Sequence, residues 1–218
     1  MVRALIFDFD GLILDTETPL IDSYAEVHAH HGVAFDRAAF LRSVGHADYA
    51  FDPWHGFSPH ADRAALEEER RIRKDQLLLQ QQILPGVAAL LEAGRARGLR
   101  IGLASNSQHD WVEPHLARLR LREPFEFIAC RGDVPSPKPE PDLYRLVLQH
   151  FGLRGHEAIA FEDSQTGVLA AKRANCRVVA VPNASTGHHD FSPADLRVGS
   201  LAEVRLDELM TRFSGAQL

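Results

Sequence analysis

Short, wholly apolar runs alternate with longer stretches of mixed polarity along most of this chain. Ala4-Leu5-Ile6-Phe7, Ile101-Gly102-Leu103-Ala104 and Ala158-Ile159-Ala160-Phe161 are the clearest runs, joined by residues 126–130 and 177–181. Apolarity this brief, followed at once by polar or turn-forming residues, is the pattern of strands covered on both faces. Between the runs the apolar positions change period. Val87, Leu90 and Leu91, then Leu143, Leu146 and Val147, then Val168, Ala171 and Ala174 recur at three- and four-residue steps, which predicts helices. Residues 108–119 and 201–213 are further helical stretches, residues 177–181 are read as the last strand, and Ser164 stands at an N-cap position. Strand–helix alternation of this kind predicts an α/β fold, a Rossmann-like parallel sheet core with helices on both faces.

Residues 16–82 break that alternation. Ile21, Tyr24, Ala25 and His28 form one helical face that ends at Gly32, with Thr16 as its N-cap. Phe40, Leu41 and Val44 form another over residues 36–44, and residues 62–82 read as a long charged helix. Glu67–Arg71 and Glu69–Arg73 are spaced for ion pairs on its solvated side. Residues 50–60 mix Pro53, Gly56 and Pro59 with Phe51, Trp54, His55 and Phe57, a loop anchored by aromatic rings. The segment reads as an inserted α-helical cap domain, residues 16–82, within a core made of residues 1–15 and 83–218.

The residues that end each strand carry the chemistry. Asp8 and Asp10 follow the first run, Ser105 and Asn106 the second, Lys138 lies in the loop beyond the third, and Glu162 and Asp163 follow the fourth. In an open parallel sheet the carboxyl ends of the strands share one edge, so these clusters converge on one crevice. Carboxylates brought this close repel unless a cation lies between them, and a hard divalent ion takes oxygen donors of this type.

Composition narrows the partners. A net charge of −6 leaves no basic surplus to neutralise the phosphates of a nucleic acid. No apolar stretch has the length of a membrane span, and the N-terminus runs into a strand with no leader pattern, so no membrane partner and a cytoplasmic location are expected. Cys130 and Cys176 are expected as free buried thiols. His28, His30, His31, His188 and His189 lack a Cys partner or a helical His–carboxylate motif, and are expected at the surface or in packing.

The strand-end clusters resemble the motifs of the haloacid dehalogenase superfamily, in the branch that carries a helical cap after the first strand. They read Asp8-Phe9-Asp10-Gly11 with Leu14-Asp15-Thr16-Glu17, then Leu103-Ala104-Ser105-Asn106-Ser107, then Lys138-Pro139-Glu140-Pro141-Asp142, then Phe161-Glu162-Asp163-Ser164 with Thr166-Gly167. Order and spacing both fit over almost the whole chain, while the cap matches in position and helicity only. The resemblance implies a magnesium-dependent phosphatase of a small phosphorylated metabolite such as a sugar phosphate. A monomer is expected. Asp8 would be the nucleophile that forms an aspartyl-phosphate. Asp8, the backbone carbonyl of Asp10, and Asp163 would hold Mg2+, with Glu162 binding it directly or through water. Asp10 would protonate the leaving oxygen and then deprotonate the attacking water. Ser105 and the Asn106 amide would hold phosphate oxygens, and Lys138 would pair with Asp8 and the phosphate.

An acidic Asp10 separates this chain from the superfamily's dehalogenases, which need no proton donor. Glu17, His46, Tyr49, Trp54 and His55 are the cap residues that could select the leaving group. The alternative is a phosphosugar mutase, because the β-phosphoglucomutases share the cap type and Thr16. They usually carry a histidine where this chain has Leu20 and an arginine near its His46, which favours hydrolysis here. A catalytically idle phosphate-binding protein on the same fold is the third reading.

Overall fold

The computed structural model describes residues 1–43 and 51–214. Six parallel strands form one sheet in the order β3-β2-β1-β4-β5-β6: β1 (Ala4–Phe7), β2 (Arg100–Ala104), β3 (Phe127–Ala129), β4 (Ala158–Glu162), β5 (Arg177–Ala180) and β6 (Leu196–Arg197). β1 is central and buried along its length, paired with β2 from Ala4↔Arg100 to Phe7↔Leu103 and with β4 from Ala4↔Ala158 to Phe7↔Phe161. Side chains alternate across a strand, so β1 feeds two cores. Leu5 and Phe7 lie in the core that includes Val87, Leu90 and Leu91 of α4 (Val87–Ala96), Val112 and Leu116 of α5 (His109–Arg118), and Leu206 and Leu209 of α8 (Leu206–Ser214). Ala4 and Ile6 lie in the other, with Leu143, Tyr144 and Val147 of α6 (Asp142–Phe151) and Val168 and Ala171 of α7 (Gln165–Arg173). The fold is thus an α/β sandwich of helices on both faces of a Rossmann-like sheet.

The strand order corrects one sequence reading: residues 177–181 are not the last strand. β6 follows β5 and pairs with it through Val179↔Leu196 and Ala180↔Arg197. Two residues are too few to show a period, and the pairing exists only because the edge of β5 is there to receive them.

The chain separates into two compact units, Met1–Leu14 with Ile83–Leu218, and Asp15–Gln82. In the first, Leu14 bridges Ile83 and the Leu84 N–H donates to the Ile13 carbonyl at 2.9 Å, so the two ends of the insertion leave the sheet side by side. The second unit is helical: α1 (Glu17–His30), α2 (Arg37–Ser43) and α3 (Arg63–Gln80). Thr16 occupies the N-cap position of α1, but its side chain makes no capping bond. Asp15 does that work: its Oδ1 accepts from the N–H groups of Thr18 at 2.9 Å and Glu17 at 3.2 Å. Glu69 pairs with Arg73 as expected, whereas Glu67 pairs with Arg70, and Arg71 turns to Glu68. The half-exposed Glu67 also reaches the unit's rings: its Oε1 accepts from Trp54 Nε1 at 2.8 Å and from Tyr24 Oη at 3.4 Å. No helix among the described residues is long and apolar enough to cross a membrane.

Phe7 and Phe161 stack at 4.9 Å between ring centroids at the centre of one core. Phe161→Ala is expected to lower the unfolding free energy by about 3–5 kcal/mol, measured by urea denaturation.

Candidate active site

β1 stops at Phe7, and the ladder runs one step further: the Asp8 N–H donates to the Phe161 carbonyl at 3.0 Å. That bond delivers the Asp8 side chain to the sheet edge beside Glu162, the last residue of β4, and Asp163. Chain progression across the sheet reverses between β1 and β4, the place where open α/β sheets bind ligands. Lys138 arrives on the loop after β3. Its backbone N–H donates to Asn106 Oδ1 at 2.8 Å, and its carbonyl accepts from Asn106 Nδ2 at 3.1 Å. The side chain so positioned is 3% exposed, and its Nζ donates to Asp8 Oδ1 and to Glu162 Oε1, each at 2.7 Å.

The charge balance is unequal. Carboxylate oxygens of Asp8, Glu162 and Asp163 lie within 4.8 Å of one another, all three residues are buried, and Lys138 is the ammonium between two of them. Burial pushes the Asp8 carboxyl up to about 7; Lys138 opposes the rise, and Glu162 and Asp10 add to it. Burial works against the Lys138 ammonium, but Asp8 and Glu162 together hold it charged, above the usual lysine range. Tyr144 donates its hydroxyl to Glu162 Oε1, and burial followed by the nearby Glu162 and Asp8 charges holds that phenol well above its ordinary value. Glu162 Oε2 is buried with no hydrogen-bond partner among the described residues. Asp163 Oδ2 accepts from Asn183 Nδ2 at 2.8 Å, and the same amide reaches the Gly11 carbonyl at 3.3 Å.

Two glycines leave room for these carboxylates. Gly11 has φ +73°, and a Cβ there would collide with the Asp163 carboxylate and the Asn183 amide. A Cβ on Gly167 would collide with Glu162. An all-oxygen donor set, an excess of negative charge and an unpartnered buried carboxylate oxygen fit a hard divalent cation.

Asp10 has different company. Its Oδ2 accepts from Ser107 Oγ at 2.7 Å and from Ser105 Oγ at 3.5 Å, and its Oδ1 accepts from Trp111 Nε1 at 2.9 Å. The two aspartates, one residue apart, thus sit among an ammonium and acids in one case and neutral donors in the other. The structure therefore gathers Asp8, Asp10, Ser105, Asn106, Lys138, Glu162 and Asp163 at one edge. It adds four residues that the sequence left without a role: Ser107, Trp111, Tyr144 and Asn183. Asn183 follows β5 as Glu162 ends β4, so the strand-end rule applied once more would have found it. Trp111 and Tyr144 sit within helical patterns, where nothing marks a polar tip as used.

The helical unit's named residues fare differently. Trp54 is 3% exposed and its indole N–H is committed to Glu67, so it belongs to that unit's core and not to a ligand-facing surface. His55 is exposed, and Glu17 begins α1 half-buried. His46 and Tyr49 lie outside the described residues.

A sequence model of the haloacid dehalogenase-like hydrolases matches residues 5–181. The chain belongs to that family. It is similar to YhcW of Bacillus subtilis, 40% identical over 98% of this chain and 99% of that one. Hexitol phosphatase B of Escherichia coli is 32% identical over 96% of this chain and 97% of its own length. Among solved structures, a variant of CbbY from Rhodobacter sphaeroides in complex with xylulose-(1,5)bisphosphate is 26% identical with a TM-score of 0.68, covering 93% of this chain and 96% of that one.

A divalent ion taken up by this centre would have to displace the proton that burial leaves on Asp8 below about pH 7. Mg2+ affinity, measured by isothermal titration calorimetry, is expected to rise about tenfold per pH unit below that point and to level off above it. Asp163→Asn should remove most of the binding at every pH.

Proposed function

We propose that this chain is a magnesium-dependent phosphatase of small phosphorylated sugars, working through an aspartyl-phosphate on Asp8. The observation that carries the reading is the pairing of Asp8 with Lys138 in a buried acidic centre while Asp10 stands apart among neutral donors. Such a split supports giving the nucleophile and acid/base roles to two carboxylates of one loop. An Asp8 oxygen attacks phosphorus and the ester P–O bond breaks. Protonated Asp10 gives its proton to the leaving alkoxide. Asp10 then takes a proton from water, the water oxygen attacks phosphorus, and the bond to Asp8 breaks to release phosphate. The Ser107 hydroxyl can rotate between donating to Asp10 and accepting from it as the proton comes and goes. Lys138 and Ser105 offset charge on the phosphate oxygens. Asp8, Glu162, Asp163 and the Asp10 carbonyl would hold Mg2+, which screens the repulsion between carboxylate and phosphate dianion.

Similarity to a hexitol phosphatase and to a CbbY solved with a sugar bisphosphate supports a sugar phosphate as the substrate class. Glu17 and His55, with His46 and Tyr49, are the proposed readers of the leaving group. Phosphate release across a panel of hexose, pentose and hexitol phosphates tests the proposal. Asp8→Asn is expected to lower kcat at least about 10³-fold on the best substrate. Equal release from both proteins, or isomerisation of a phosphosugar without release, would overturn it. Trp111→Phe removes one donor to Asp10 and keeps the ring. It is expected to lower kcat about tenfold with KM nearly unchanged, because it disturbs the proton shuttle and not the phosphate contacts.

A further inference from the structure

The helical unit carries a second cluster with a different donor chemistry. Within a helix, neighbouring side chains diverge by about 100°, so adjacent histidines do not share a target. Here α1 ends at His30, and His31 leaves the helical path at φ −92°, ψ 6°. The two rings come to 4.9 Å between centroids and both face Glu69 of α3. His30 Nδ1 lies 2.7 Å from Glu69 Oε1, and His31 Nε2 lies 2.9 Å from Glu69 Oε2. The three ligand atoms sit within 4.8 Å of one another. Arg73 is the outer partner: its Nη2 and Nε donate to Glu69 Oε1 at 2.7 and 3.1 Å, and its Nη1 lies 3.6 Å from Glu26.

We propose that His30, His31 and Glu69 form a binding site for a transition-metal ion of the Zn2+ type, in addition to the carboxylate centre. Two imidazole nitrogens and one carboxylate are a known zinc donor set that leaves a fourth position for water. Imidazole selects Zn2+, Ni2+ and Cu2+, whereas Mg2+ prefers oxygen, so the two centres take different ions. Arg73 holds Glu69 through Oε1, which orients the carboxylate as outer partners do at metal sites. The site also lies at the carboxyl end of α1, whose last carbonyls favour a cation. A bound ion would tie α1 to α3, and the site's role would be to brace or regulate the helical unit and not to enter the reaction.

The test is Zn2+ titration of the whole protein by calorimetry with Mg2+ saturating, so that the carboxylate centre is occupied. One Zn2+ should bind with a micromolar Kd and raise the thermal midpoint. His30→Ala, His31→Ala and Glu69→Gln should each weaken it at least about tenfold, with circular dichroism unchanged and Mg2+-supported turnover kept. Co2+ in place of Zn2+ should give visible absorption bands of a low-coordinate site that vanish in the His30→Ala/His31→Ala protein. Equal Zn2+ uptake by that double variant, or wild-type binding no tighter than millimolar, would overturn the proposal.

Discussion

One buried ammonium holds the sheet edge together. Lys138 Nζ sits between Asp8 and Glu162, and its position is set by Asn106, which grips the backbone on both sides of that side chain. A buried pair of this kind adds little net stability compared with apolar packing. What it fixes is geometry. Residues from four separate parts of the chain reach one point because a misplaced member would leave a charge buried without compensation. Lys138 matters for the same reason: without it, Asp8 and Glu162 would face each other as uncompensated acids in a water-poor site.

The surroundings turn that pair into a directed site. Lys138 and Tyr144 both donate to Glu162 Oε1, which leaves Oε2 as the unused oxygen. Asn183 holds Asp163 and Gly11 together, and the absent side chain at Gly11 lets the Asp163 carboxylate come in close. Tyr144 and Asn183 are neutral donors and Lys138 is a single ammonium among three acids, so an excess of negative charge stays available for a cation. Asp10 lies only two positions beyond Asp8, yet its carboxylate is taken by Ser107 and Trp111 on the β2 side of the edge. Local environment, not residue type, sets the two carboxylates apart.

Much of this was legible because it depends on strand ends. Runs such as Ala158-Ile159-Ala160-Phe161 stop where the polar residues begin, and parallel pairing puts those stops at one edge. The readings that failed depend on partners far along the chain or on very short segments. β6 is two residues long and exists through β5. Thr16 does hold the N-cap position of α1, although the side chain that bonds the free N–H groups is that of Asp15. Glu67 was spaced for Arg71, yet its Oε1 is taken up as acceptor for the buried Trp54 indole, and its ion pair is with Arg70 instead. Trp54 could be a loop anchor or a reader of the leaving group by its chemistry, and its burial makes it core.

That last case explains why reaction class and substrate differ in how well they can be read. The sheet-edge residues answer to one charge balance, so each type at each strand end has a single sensible use. The helical unit answers to ring packing. Trp54 lies 5.5 Å from His28 and 5.1 Å from Tyr24 between ring centroids, Phe35, Phe40 and Phe57 pack against those rings, and His28 is fixed by its Nδ1 at 2.8 Å from the Tyr24 carbonyl. In such a cluster an aromatic or a histidine earns its place by shape, and the same residue types would serve equally well to grip a sugar. Type alone therefore cannot sort packing residues from substrate readers, and burial must do it. Within this unit burial already separates Trp54 from His55, its neighbour in sequence.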